Sequence, residues 1–170
     1  MASLVEELVN VLEAEKQIYT TLVGYEERKK DVLIAADVAA LEEITTKEQL
    51  AGDDLIAYSN KQIQILKDIA TVLGKTDGKM TVTRLISLLD TQPKVQEQLT
   101  EARDSLLTAA NQMKTLSDQN AILIRQAIEL NEFDMTLFKS LRQAPETANY
   151  DKSAYNTGSL LGGGGFDATS

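Results

Sequence analysis

A four-three alternation starting at Val95 picks out Val95, Leu99, Ala102, Leu106, Ala109, Met113 and Leu116. It then continues through Asn120, Leu123, Ala127, Leu130, Asp134, Leu137 and Leu141. All of these are apolar except Asn120 and Asp134. This spacing is the a/d pattern of a helix that packs lengthwise on other helices through a coiled-coil-like seam. A seam of that length in water demands a partner helix to cover it. The chain is therefore expected to be all-α, with its information in helix surfaces and not in a catalytic pocket.

The rest of the sequence supplies the covering helices. Ser3-Leu4-Val5-Glu6 reads as a capping box before an apolar-periodic run. Leu4, Leu8, Val11, Glu15, Ile18, Leu22 and Tyr25 follow at helical spacing and predict a helix over about 3–34. Asp37 is the expected N-cap of a second helix over 38–73, which makes a long antiparallel hairpin with a tight turn near Ala35–Asp37. Gly24 and Gly52 fall inside these helices and suggest a close crossing or a bend. The turn cluster Gly74–Lys79 ends the hairpin, and Thr81 opens a short helix over 81–89. Thr91 and Pro93 start the long seam helix, expected over 92–142, since proline is tolerated in a first helical turn. Residues 1–143 form the expected helical bundle. Residues 144–170, with Pro145 and the run Gly162–Gly165, read as a flexible tail that still carries Tyr150, Tyr155 and Phe166.

Composition narrows the function classes. The 170 residues include no histidine and no cysteine, which removes the usual general base, the most nucleophilic side chain and the commonest metal ligands. No enzyme, no cofactor and no metal site is expected. The formal net charge of −9 opposes a phosphate backbone, so no nucleic-acid partner is expected. The basic cluster Arg28-Lys29-Lys30 sits beside Glu26, Glu27 and Asp31 and reads as a solvated helix face with local ion pairs. GKT at Gly74–Thr76 lacks the phosphate-loop glycine five positions earlier, where Ile69 stands. No apolar run reaches the roughly 18 residues that a membrane span needs, and the acidic opening MASLVEELVN is no secretory signal. A cytoplasmic location follows as the expectation.

Helix lengths suggest where a partner would sit. At 1.5 Å per residue the three long helices span roughly 48, 54 and 75 Å. Running antiparallel to the second helix, the third should reach the hairpin turn near Ile128, leaving Leu130 through Leu141 beyond it. That segment holds Leu130, Phe133, Leu137, Phe138 and Leu141 and is the expected partner-binding surface. Self-association through it, or coverage by the chain's own tail, are the competing uses. Asn120, by contrast, is expected to be a buried polar residue that fixes helix register.

Three stretches, in order, carry a resemblance to the FlgN family of flagellar export chaperones. They are YEERKKDVLIAADVAALEEITTKEQ (Tyr25–Gln49), the connector TVTRLISLLD, and SDQNAILIRQAIEL (Ser117–Leu130). In the last, Asn120, Leu123 and Ile124 match the family pattern, while Ser117 stands in place of an asparagine. The tail is similar too, in Tyr155-Asn156-Thr157-Gly158 and Phe166-Asp167-Ala168. The resemblance implies a cytosolic chaperone of type III flagellar export that binds the C-terminal segments of hook-associated (hook–filament junction) proteins. It would prevent their premature assembly and deliver them to the flagellar export apparatus. The implied binding mode is helix-in-groove capture on the Leu130–Leu141 segment, clasped by the aromatic tail. The alternative is a structural coiled-coil adaptor whose seam makes a permanent oligomer.

Overall fold

The computed structural model describes the backbone of residues 1–162 and the side chains of residues 1–142. Four helices occupy it: α1 (Ala2–Ile34), α2 (Val38–Val72), α3 (Val82–Leu88) and α4 (Pro93–Gly162). Two compact units are distinguished, Met1–Ile124 and Arg125–Ser170.

In the first unit, α1 and α2 form the expected hairpin. Its turn is compressed into Ala35–Asp37 by a Schellman-type ending. The Ala36 amide donates to the Leu33 carbonyl and the Asp37 amide to the Val32 carbonyl, both at 3.2 Å. This geometry puts Ala36 at φ 53°, in the left-handed region, where a Cβ is strained. Asp37 then caps α2, its carboxylate accepting from the Ala40 amide at 3.1 Å. The same ending recurs after α2, where Gly74 takes φ 63° without a Cβ to strain. Thr81 caps α3 by accepting from the Arg84 amide, and Pro93 is the first residue of α4.

The core lies where four elements meet. Leu8, Val11 and Leu12 of α1 pack with Ile65, Leu66 and Ile69 of α2, Leu85 of α3 and Leu99 of α4. Farther along, Asn120 of α4 reaches Glu26 of α1. Leu99 lies at the level of Leu8 and Asn120 at that of Glu26, so α4 runs parallel to α1 and antiparallel to α2. The described part of the second unit, from Arg125 to Gly162, is a single stretch of α4.

Three expectations need correction. Helix α1 begins at Ala2 with Met1 as its N-cap and no side-chain cap. The Leu4 and Val5 amides bond the Met1 carbonyl, so Ser3 lies inside the first turn and cannot serve as the cap. Neither Gly24 nor Gly52 marks a close crossing, because a Cβ at either would meet nothing within 4 Å. Finally, α4 continues to Gly162 instead of stopping near residue 142. Proline removes one amide donor from the ladder and crowds the carbonyl four residues earlier, which kinks a helix as readily as it ends one. The Gly-rich end beyond Gly162, with Phe166, lies outside the described residues.

These backbone features set stability directly. Ala36→Gly should stabilise the chain by about 1 kcal/mol by relieving the left-handed strain. Gly24→Ala and Gly52→Ala should each add about 0.5–1 kcal/mol of helix propensity. Urea unfolding followed by circular dichroism reads all three as shifts in midpoint at constant slope.

Candidate functional site: a helix seam half covered, half exposed

The α4 seam changes character along its length. Val95, Leu99, Ala102, Leu106, Ala109, Met113, Leu116, Asn120 and Leu123 are all buried or half-buried. From Ala127 onward every seam position is exposed. The exposed part carries Leu130 (64% exposed), Phe133 (64%), Leu137 (49%), Phe138 (59%) and Leu141 (63%). On a helix, Leu130, Leu137 and Leu141 fall within about 40° of one another, with Phe133 and Phe138 on either flank. The result is an apolar stripe with aromatic edges. The Arg142 guanidinium stacks 5.1 Å above the Phe138 ring and covers part of one edge. Asp134 stands within the stripe and is exposed. Tyr150 and Tyr155 belong to α4 by their backbone, and their side chains lie outside the described residues.

The covered half ends at a polar node. Asn120 is 2% exposed, and its amide nitrogen donates both to the Glu26 carbonyl and to Glu26 Oε2, each at 2.7 Å. Across from Glu26, on α2, Glu48 pairs with Lys29 at 2.8 Å. Glu48 Oε1 is buried without a hydrogen-bond partner. Burial raises the Glu48 carboxyl above its ordinary range, Lys29 opposes that rise, and the neighbouring Glu26 carboxyl adds to it. Three helices thus meet through one amide, two carboxyls and one ammonium.

A second buried acid lies nearer the apolar core. Glu15 is only 4% exposed, and desolvation pushes its carboxyl up to about 7. Gln62 of α2 faces it. With the amide turned so that nitrogen points inward, that nitrogen lies 3.3 and 3.2 Å from the two carboxylate oxygens. Burial and the Glu15 charge also push the Tyr19 hydroxyl upward.

The sequence placed Asn120 in the interior but did not reveal its partners. It also took the surroundings of Lys29 for a solvated face. Arg28 and Lys30 are exposed as expected, whereas Lys29 turns inward to Glu48. The available signal was periodicity, since Glu15, Leu22 and Glu26 share one face at steps of seven and four. Among the described residues no group of three or more acids, histidines or cysteines could hold a metal ion, and no helix is long and apolar enough to cross a membrane.

A family model describing the FlgN protein matches residues 1–158, which include the hairpin, the covered seam and the exposed stripe. The chain belongs to the FlgN family. Family membership makes it one of the chaperones of flagellum assembly, and the four-helix architecture fits that placement. A different similarity is local. Over 98 residues the chain is 32% identical to an alanine–tRNA ligase of Pseudoalteromonas translucida (strain TAC 125). That stretch is 58% of this chain and 9% of the ligase, so the chain spans a small fraction of that relative's length. No solved structure matches.

Two measurements probe the node and the buried acid. Asn120→Ala should cost about 2 kcal/mol, because it leaves the Glu26 carboxyl buried without its donor; urea unfolding reads the loss. Glu15 holds its proton more tightly when folded, so its contribution to stability falls as pH rises from 4.5 through about 7. Glu48 has the same sign. Unfolding midpoints should therefore decline from about pH 5 to about pH 8. Glu15→Gln should flatten part of that slope and be more stable than the parent at the alkaline end.

Proposed function

We propose that this FlgN-family chain is a cytosolic chaperone of type III flagellar export for hook–filament junction proteins. The observation that carries the reading is the seam that passes from covered to exposed between Leu123 and Ala127 while its apolar spacing continues. A seam of this kind offers a cargo helix the geometry it offers its own bundle upstream. An otherwise disordered C-terminal segment of the cargo lays an amphipathic face along Leu130, Phe133, Leu137, Phe138 and Leu141. The cargo's own assembly contacts are thereby occupied, which prevents premature assembly. Tyr150, Tyr155 and Phe166 are the proposed clasp. Ordering the cargo segment offsets part of the contact energy, so affinity stays moderate and release at the export apparatus requires no nucleotide.

The test is calorimetric titration with C-terminal peptides of the organism's own hook–filament junction proteins. Micromolar or tighter binding is expected. Phe133→Ala and Leu137→Ala should each weaken it about tenfold or more, with the helical spectrum and unfolding midpoint unchanged because both side chains are exposed. If no peptide binds and the chain forms a permanent oligomer through the stripe, the coiled-coil adaptor takes its place.

A further inference from the structure

The sequence holds 26 acidic and 17 basic side chains, yet one groove on the first unit has no acid in its lining. It follows α2 from Ser59 to Thr71 and is bounded opposite by the connector from Thr76 to Thr81 and by Val82. Its volume is about 770 Å³. Leu66, Ala70, Met80 and Val82 are buried in its floor, while Ile63 stands 44% exposed at the rim. The charged lining residues are Lys67 and Lys79. Both are exposed, and neither forms an ion pair among the described residues.

An occupant should therefore be apolar on one side, acidic beside it, and matched in length. Ser59 to Thr71 measures roughly 18 Å along α2. The stripe from Leu130 to Leu141 measures roughly 17 Å at the same rise. Glu129, Glu132 and Asp134 accompany its first half, with no basic residue before Lys139. The stripe is left exposed by its own chain.

We propose that the groove of one molecule receives the Leu130–Leu141 stripe of a second copy. Leu130, Phe133 and Leu137 meet the apolar floor, and Glu129 and Asp134, which flank that face on either side of the helix, face Lys67 and Lys79. Every chain carries both a groove and a stripe, so two copies have what a reciprocal exchange needs. The inference goes beyond cargo binding and does not require it. Where cargo also uses the stripe, the second copy competes with it.

Charge reversal tests the pairing in the full-length chain by sedimentation equilibrium from about 1 to 100 µM, the range where weak dimers dissociate. The parent should show a monomer–dimer equilibrium that weakens with added salt. Lys67→Glu with Lys79→Glu should weaken it about tenfold, and Glu129→Lys with Asp134→Lys likewise. An equimolar mixture of the two variants should regain the parent's affinity, since both contacts then pair opposite charges. All four side chains are exposed, and circular dichroism verifies the fold. A parent that stays monomeric overturns the proposal. So does a dimer indifferent to the groove lysines, which would mean stripe-to-stripe pairing, or a mixture that fails to recover.

Discussion

A buried amide has few places where its donors are satisfied, and that restriction sets the register of the long helix. Asn120 bonds two oxygens of one residue, Glu26, on a helix far away in sequence. A coiled-coil seam by itself is indifferent to a slip of seven residues, because another apolar position arrives where the last one stood. With Asn120 in the seam, a slip of that size would bury the amide and the Glu26 carboxyl without partners. Register in turn determines which seam residues are covered by α1 and α2 and which are left exposed.

The node has a composition that a purely structural lock would not require. Two carboxyls meet one amide and one ammonium, and one carboxyl oxygen is left without a donor. Glu15 adds a further acid whose ionisation is opposed by burial alone. Burial of Glu15 makes the bundle less stable as pH rises through about 7, and Glu48 acts with the same sign. A seam of leucines at the same positions would hold the helices more tightly and would not discriminate between registers.

Much of this was legible in the chain itself, for identifiable reasons. Asp37, Thr81 and Pro93 mark helix starts because capping and ring geometry are local properties, independent of what packs nearby. The α4 seam was legible as far as Leu141 because its periodicity does not depend on whether it is covered. What escaped was non-local or contextual. Glu26, Lys29 and Glu48 look like surface residues until a neighbouring helix removes their water. Gly24 and Gly52 suggest a close crossing or a bend from sequence, and the open space around both removes the crossing. Pro145 looked like an end, yet α4 continues past it. The stripe could be anticipated as a surface, but its complement along α2 combines a helix with a loop, and no single periodicity describes that.

The distance in sequence between Glu26 and Asn120 also orders events in time. The α1–α2 hairpin closes through a turn of a few residues, at small entropic cost. The bond from α4 closes a loop whose ends are 94 residues apart, and closure entropy grows with length. On a ribosome the hairpin emerges first and α4 last. Glu26, Lys29 and Glu48 are therefore in place before the amide of Asn120 arrives. Until α4 docks, Glu26 lacks the amide that bonds it in the finished bundle, and the side of the hairpin that α4 covers stands open to water.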